Sequence, residues 1–225
     1  MKTMRAAIAL IAAVATVSAC GQPEFHYVRD RAGTTYFKVP ASFSQLDTEP
    51  LELLISGDDP TSAATQLRKE RVWSTAFDQA AEPNVQHMFG SREPFVYVTV
   101  HALTVKERNE MSLDRMRDYI LPVTDGRREA YVMSQLQAGR APLFGNFEPL
   151  LDQELTLDDG ARGIRVRYNY RIVGGVQTFD QTAILDGKGT SLSLMLITCE
   201  ATCFAERAAE LDKIAGSFNL LRLPG

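Results

Sequence analysis

Hydrophobic and polar residues alternate most regularly along residues 162–173, which predicts a β-strand with one buried face. The apolar residues occupy every second position, namely Ile164, Val166, Tyr168, Tyr170 and Ile172. The residues between them are polar and mostly cationic, namely Arg165, Arg167, Asn169 and Arg171. Because successive side chains of a strand point to opposite faces of a sheet, this strand has one apolar and one cationic face.

Turn residues divide the second half of the chain into a run of strands. The predicted strands are residues 150–157, 162–173, 178–185 and 190–198. They are separated by three turn segments, Asp158-Asp159-Gly160, Gly174-Gly175 and Asp186-Gly187-Lys188-Gly189. Glycine adopts the positive φ angles that tight hairpin turns require. The spacing therefore predicts an antiparallel meander.

Runs of β-branched and aromatic residues predict further strands in the first half of the chain. These strands are residues 34–39, 51–55, 72–77 and 95–105. The first of them ends at Pro40, whose ring nitrogen carries no hydrogen to donate to a sheet. The strand over residues 95–105 is the most apolar of the group, and we expect it to be central.

Apolar spacings of three and four residues predict helices over about residues 60–70, 113–121, 127–138 and 204–218. Asp59 and Ser112 are suited to cap the first two helices, and Gly139 to end the third. The last helix carries one apolar stripe, formed by Phe204, Ala208, Leu211, Ala215 and Phe218. Helices before and after an antiparallel run of strands predict an α+β fold, a central antiparallel sheet with helices packed on both faces.

The first nineteen residues follow a different pattern, that of a lipoprotein signal peptide. Lys2 and Arg5 precede an unbroken apolar run over residues 6–15, which is too short to span a bilayer. Val17-Ser18-Ala19 then leads directly to Cys20, the position at which bacteria attach diacylglycerol before cleavage. Residues 1–19 are expected to be removed, leaving Cys20 as a lipidated N-terminus. The alternative is an ordinary secretory signal with a chance cysteine.

A lipid on Cys20 predicts where the protein resides and how it is attached. Two acyl chains hold a protein stably on a membrane, because each buried methylene contributes about 0.8 kcal/mol. We expect residues 20–33 to be a tether and residues 34–225 a single domain on the extracytoplasmic side of the cell membrane, or in an envelope layer beyond it. The formal net charge of −4 makes nucleic acid an unsuitable partner.

The two remaining cysteines, Cys199 and Cys203, form an even pair outside the cytoplasm, where thiols are oxidised. We expect a structural disulfide between them. A metal or redox pair is the alternative, but such sites usually need tighter spacing or more ligands.

The sequence contains none of the short motifs that usually carry catalytic chemistry. His26, His87 and His101 are far apart and outside any His-Glu-x-x-His pattern. The chain has no Gly-x-Ser-x-Gly elbow and no phosphate-binding glycine loop followed by Lys and Ser or Thr. His101 lies in a predicted strand, where a structural role is expected. We therefore predict no catalytic residues, no metal site and no cofactor.

The cationic face of the strand over residues 162–173 supports two interpretations. Arg165, Arg167 and Arg171 could bind an anionic head group, a sulfate or phosphate, or an acidic partner. Alternatively, these arginines pair with neighbouring acidic residues on a solvated sheet face.

Two short motifs carry a family resemblance, Phe37-Lys38-Val39-Pro40 near the start of the domain and Ala215-Gly216-Ser217-Phe218 in the closing helix. With the element order over about residues 34–220, the chain resembles actinobacterial lipoproteins with a PsbP-like fold, of the LpqN/LpqT type. The resemblance implies a central antiparallel sheet between helices and a binding or accessory role in the cell envelope. It implies no catalytic residues.

The leading hypothesis is a lipid-anchored, non-catalytic binding or accessory protein of the bacterial cell envelope. A second hypothesis is a carrier of an apolar or lipid ligand between the sheet and its helices, which requires a cavity of about 300 Å³ or more. A third is a hydrolase whose catalytic residues are dispersed along the chain.

Overall fold

The structure, a computed structural model, describes residues 23–56 and 59–221. Cys20 and the signal peptide predicted over residues 1–19 lie outside the described residues. Strands of the described part are β1 Phe25–Arg29, β2 Thr35–Pro40, β3 Ser44–Leu46, β4 Val72–Asp78, β5 Phe95–Ala102, β6 Gly145–Thr156, β7 Arg162–Ile172, β8 Gly175–Leu185, β9 Ser191–Glu200 and β10 Asn219–Leu220. Its helices are α1 Glu49–Ser56, α2 Ala63–Arg71, α3 Val105–Glu110, α4 Leu113–Arg117, α5 Asp125–Gln137, α6 Ala201–Glu206 and α7 Ala208–Gly216.

The strands form two antiparallel sheets. The large sheet has seven strands in the order β3-β4-β5-β9-β8-β7-β6, and the small sheet has the order β1-β2-β10. On one face of the large sheet, a hydrophobic core contains Leu51 of α1 and Met116 of α4. On the other face, a second core joins Phe37 of the small sheet to Leu211 and Ile214 of α7. The predicted α+β fold with helices on both faces is therefore confirmed.

The predicted meander is present as β6, β7, β8 and β9. Asp159 and Gly160 both have positive φ in the turn between β6 and β7, and Gly174 has positive φ in the turn between β7 and β8. A side chain at Gly187, in the next turn, would overlap the carbonyl oxygen of Asp159. The two turns at this end of the sheet therefore pack against each other through their backbones.

The tether predicted over residues 20–33 is corrected, because Phe25–Arg29 forms β1 and pairs with β2. His26 and Val28 point inward from this strand, and the His26 ring lies 5.4 Å from that of Phe77. The alternation spans only five residues, two of which are polar, and this is too short a pattern to stand out in the sequence.

The strand predicted over residues 51–55 is wrong, because this segment lies within helix α1. The side chain of Asp47 accepts a hydrogen bond from the amide of Glu49, and the amide of Glu52 donates to the carbonyl of Thr48. Leu51 is fully buried, whereas Leu54 and Ile55 are 57% and 40% exposed. The run of apolar residues therefore belongs to a helix that rests on the core through Leu51, and not to a strand.

Several element boundaries also differ from the predictions: for example, α4 ends at Arg117 and β6 begins at Gly145. Local hydrogen bonds explain two further cases. Helix α2 begins at Ala63 with Ser62 as its cap, whereas Asp59 forms a turn with Thr61. Strand β5 ends at Ala102, and Thr104 caps α3 through a reciprocal pair of hydrogen bonds with Glu107. In both cases a side chain bound to the local backbone fixes the boundary.

The single closing helix predicted over residues 204–218 is two helices, α6 and α7, which meet at Arg207. A disulfide between Cys199 of β9 and Cys203 of α6 holds the first helix at the end of the central strand. The chain turns at Arg207, and Leu211 and Ile214 of α7 then cover the small sheet and β9.

Candidate functional site

An open groove of about 480 Å³ lies between α5 and strands β6 and β7, and we call it the α5 groove. Its principal lining residues are Arg128, Tyr131, Met133, Phe144, Phe147 and Tyr170. Its lining is mostly aromatic and apolar and comes from a helix, the end of a loop and two strands. Concave sites of this size and chemistry are typical of small-molecule binding.

Aromatic rings form a continuous chain along the groove into the core. The ring centroids of Tyr131 and Phe144 are 5.7 Å apart, and those of Phe144 and Tyr170 are 5.3 Å apart. Phe147 then contacts Tyr170 at 5.3 Å and Tyr168 at 5.6 Å. These separations are within the range at which aromatic pairs attract each other. The outer rings of the chain line the groove, so an apolar ligand could extend the stack.

Helix α5 forms one wall of the groove and is itself only partly buried. None of its residues is fully buried, and its inner side is formed by half-buried residues three and four apart, namely Arg128, Tyr131, Val132 and Gln135. Two apolar residues beside this row, Met133 and Leu136, are 55% and 57% exposed. The wall of the groove therefore has an apolar rim that reaches solvent.

Hydrogen bonds fix the segment that leads into α5. The carboxylate of Asp118 accepts from the amides of Val123 and Thr124 at 2.7 and 2.8 Å, and from the Thr124 hydroxyl at 2.6 Å. The hydroxyl of Tyr170 donates to the carbonyl of Pro122. The start of α5 is thus attached to β7 at the floor of the groove.

A bulge in β6 places Phe147 over the groove. Asn146 has φ 48°, a left-handed conformation that asparagine tolerates better than most residues. The pairing of β6 with β7 shifts between Gly145 and Glu148, as expected when an extra residue enters one strand. The bulge turns the Phe147 ring toward Tyr168 and Tyr170.

A second hollow of about 560 Å³ continues from the α5 groove and shares Arg128 and Phe147 with it. The Arg128 guanidinium lies 4.0 Å from the centroid of the Phe147 ring and pairs with Asp125. In the second hollow, Arg117 donates two hydrogen bonds of 2.8 Å to Asp152, and these bonds raise the pKa of Arg117. The α5 groove is thus the aromatic end of this region, and the second hollow is its charged end.

Two tyrosines supply hydroxyl groups to this region. Burial raises the pKa of Tyr168 and of Tyr170 well above the ordinary value for tyrosine, so both remain neutral hydrogen-bond donors at physiological pH. Tyr168 lines the charged end, and its buried hydroxyl has no hydrogen-bond partner among residues 23–56 and 59–221. A buried hydroxyl without a partner is energetically unfavourable. The Tyr168 side chain has no exposed surface, so this hydroxyl does not open into the hollow.

The structure places two arginines of the predicted cationic stripe in internal ion pairs. Arg165 and Arg167 both donate to the buried carboxylate of Asp180 and to Asp212 of α7. Partial burial raises the pKa of Asp212, but the hydrogen bonds from both arginines outweigh this effect and lower it. The exposed Arg171 lies further along β7, opposite Gly145. Arg165 and Arg167 therefore pair with acidic residues, which was the second interpretation of the cationic face. The three arginines do not form a free anion-binding stripe.

The three histidines occupy separate positions. His26 bonds to the carbonyl of Phe43 at 2.9 Å, and His87 bonds to the buried carboxylate of Asp78 at 2.7 Å. His101 bonds to the hydroxyl of Thr99 at 3.0 Å, and burial lowers the pKa of His101 to about 4. Each histidine thus holds a local contact within the fold.

The described part of the chain offers neither a cluster of metal ligands nor a helix that could span a membrane. No group of three His, Cys, Asp or Glu residues in these ranges is placed to hold a metal ion. No helix in the same ranges is long and apolar enough to cross a membrane.

Sequence reasoning missed the α5 groove, although it placed Tyr168 and Tyr170 on one apolar face of a strand. Tyr131, Phe144 and Phe147 belong to a helix, a loop and a bulge that are far from those tyrosines in sequence. Only the pairing of β6 with β7 brings them together. An aromatic cluster near residues 144–147 was the one signal available.

No family model and no curated protein matches this sequence. Among solved structures, the chain is similar to cyanobacterial PsbP from Synechocystis sp. PCC 6803, with a TM-score of 0.52 and 11% identity, covering 92% of this chain and 99% of that one. LpqN of Mycobacterium tuberculosis, described as involved in cell envelope biogenesis, has a TM-score of 0.44 and 12% identity, covering 88% and 91%. The chain therefore has a PsbP-like fold.

Proposed function

We propose that the protein is a lipid-anchored, non-catalytic binding protein of the bacterial cell envelope, and that the α5 groove binds an apolar ligand. The signal-peptide pattern ending at Cys20 supports the anchor and the extracytoplasmic location. The single observation that carries the binding role is the chain of aromatic rings that opens to solvent beside α5.

The chemistry of the groove defines the ligand class. Rings at 5 to 6 Å spacing bind flat or acyl groups through apolar burial, which contributes about 25 cal/mol per Å². The charged groups at the other end already pair with each other, as Arg117 does with Asp152. The expected ligand is therefore a mainly apolar molecule, and not a strongly charged one.

A protein partner at the same surface is the second candidate. The exposed apolar residues around α5 favour it, since Met133, Leu136 and Leu143 are each more than two-fifths exposed. Apolar residues grouped at a surface mark interaction sites more often than scattered ones do. In this case the protein is an accessory component of an envelope assembly.

Mass spectrometry of the natively purified protein tests the binding role. We expect a co-purified apolar molecule, and we expect Phe147→Ala and Tyr131→Ala to lose it. Leu54→Ala is the control, because Leu54 is an apolar residue that is 57% exposed on α1, outside the groove. An unliganded protein that also fails to bind fluorescent acyl and aromatic probes would contradict the apolar-ligand role and leave the protein-partner role.

Fractionation of cells tests the anchor separately. The Cys20→Ser variant is exported with a secretory signal that is cleaved without lipidation, so that neither mature protein carries residues 1–19. We expect the native chain in the membrane fraction and the Cys20→Ser variant released from it, because the variant lacks the thiol that carries the lipid. Release of both proteins, or retention of both, would contradict anchoring through Cys20.

A further inference from the structure

The outer face of the β1–β2 hairpin differs in composition from the rest of this acidic protein. The inward residues of the two strands, among them Val28, Phe37 and Val39, pack in the second hydrophobic core. The outward residues are paired across the strands as Phe25 with Pro40, Tyr27 with Lys38, and Arg29 with Tyr36. We call these six residues the hairpin face. It contains three aromatic rings and two cations, and none of the six is acidic.

Contacts within the hairpin face hold its aromatic and cationic groups together. The ammonium of Lys38 lies 4.4 Å from the centroid of the Phe25 ring, and the Phe25 and Tyr27 rings meet edge to face at 6.2 Å. Tyr27 is 65% exposed, which is high for a tyrosine in a sheet. Phe25 and Tyr36 are half-buried. Aromatic residues beside lysine and arginine are typical of protein surfaces that lie at a membrane interface.

The hairpin face begins only a few residues after the predicted lipid anchor. Phe25 follows the predicted lipidated residue, Cys20, by five positions. Five residues span at most about 17 Å, so a lipid on Cys20 holds β1 within that distance of the bilayer. The only acidic residue between these two positions is Glu24.

We propose that the hairpin face lies on the membrane surface, with its aromatic rings at the headgroup level and Arg29 and Lys38 against anionic phospholipids. This inference rests on the proposed lipid anchor and adds an orientation to it. The α5 groove lies on the opposite face of the large sheet from the small sheet. The groove therefore opens away from the bilayer.

Fluorescence quenching by brominated phospholipids tests this orientation on the native lipidated protein in vesicles of phosphatidylglycerol and phosphatidylcholine. Trp73 is the only tryptophan in the chain, so Trp73→Phe provides a background for single tryptophan probes. Tyr27→Trp places the probe on the hairpin face, and Leu136→Trp places a similarly exposed control on α5. We expect the probe at position 27 to lose most of its emission and the probe at position 136 to keep it. Equal quenching at both positions, or none at position 27, would overturn the proposal.

Charge reversal separates the hairpin face from the anchor. Arg29→Glu with Lys38→Glu should restore emission at position 27 while the protein still floats with the vesicles through its lipid. The Cys20→Ser chain provides a second measurement that does not need the lipid. It should bind anionic vesicles and not neutral ones at low salt, and each charge reversal should weaken that binding by about fivefold or more.

The two measurements distinguish failure of the anchor from failure of the orientation. A native protein that does not float with vesicles contradicts the anchor. In that case, vesicle binding by the Cys20→Ser chain alone tests whether the hairpin face binds membranes. A Cys20→Ser chain that binds neutral and anionic vesicles equally, or binds neither, overturns the role of the two cations.

Discussion

Asp180 and Arg165 form a two-point ion pair between neighbouring strands β8 and β7. The Nε atom of Arg165 donates to Oδ1 of Asp180 at 3.0 Å, and one terminal nitrogen donates to Oδ2 at 2.6 Å. The side chain of Asp180 has no exposed surface, and it also accepts from Arg167. Asp212 of α7 contacts both arginines from the solvent side. The ion-pair network therefore attaches α7 to the large sheet.

Replacing Asp180 with asparagine should strongly destabilise the protein. The change removes the buried charge that both arginines require, and loss of one partner in a buried pair costs about 3 to 5 kcal/mol. Asp212→Asn is the matched control, with an expected cost of about 1 kcal/mol or less, because Asp212 is 47% exposed. Urea unfolding followed by circular dichroism measures both. Equal costs for the two variants would contradict the assignment of Asp180 as the centre of the network.

Removing the disulfide should lower stability by a smaller amount. Cys199 and Cys203 are four positions apart, and closing so short a loop stabilises by about 2 kcal/mol on the chain-entropy model. We expect Cys199→Ala with Cys203→Ala to lower the free energy of unfolding by that amount without changing the fold. Reduction of the native protein with dithiothreitol should reproduce the shift, and it should leave the double variant unaffected. A shift in the double variant on reduction would show that another group is responsible.

The stability of the protein should fall in mild acid because of His101. Burial lowers the pKa of His101 to about 4, with Arg71 and Arg68 also lowering it and Glu107 opposing them. Between about pH 6.5 and 4 the unfolded chain binds a proton that the folded chain does not, so the free energy of unfolding decreases as the pH falls. The full loss is on the order of 3 kcal/mol.

The variant His101→Phe tests this assignment. It keeps a ring against Tyr119, whose ring centroid lies 5.0 Å from that of His101, and it removes the proton-binding group. Denaturant unfolding measured from pH 7 to pH 4 should show a shallower dependence on pH for the variant. An unchanged dependence would assign the acid sensitivity to other groups.

A methyl group at Gly187 should destabilise the end of the large sheet. The Cβ of Gly187→Ala would overlap the carbonyl oxygen of Asp159, and backbone atoms cannot move away cheaply. We expect a loss of about 2 kcal/mol or more in the free energy of unfolding. Gly126→Ala is the control, because Gly126 lies in α5 with no atom within 4 Å of the new Cβ. That change should stabilise by about 0.5 to 1 kcal/mol, and thermal melting of both variants checks the contrast.

The second half of the fold was predictable because its strands are long and its turns contain glycine. The alternation from Ile164 to Ile172 identified both the strand and its buried face, and Gly174 marked the following turn. The segment around Leu51 was misassigned because a helix with one buried leucine and several exposed apolar residues has no clear period. At Arg207 the sequence continues a helical stripe, and no change in the apolar spacing marks the break between α6 and α7.

The candidate site was much less accessible to sequence reasoning. The arginine stripe was visible as a pattern, but Asp180 and Asp212 come from another strand and from a helix, and only the fold shows that they neutralise it. Likewise, the β-bulge at Asn146 decides where Phe147 points. Pairing between distant segments, and not local spacing, creates both arrangements.

Helix α5 contributes no fully buried residue to either core. Detaching α5 from the sheet would break few apolar contacts, whereas unfolding β7 or β9 would disrupt the whole sheet. Amide hydrogens of α5 should therefore exchange with solvent through local opening, far faster than those of the central strands. A molecule could therefore enter between α5 and the sheet without global unfolding of the protein. Once bound there, it should slow the hydrogen exchange of the α5 amides and leave that of the central strands unchanged.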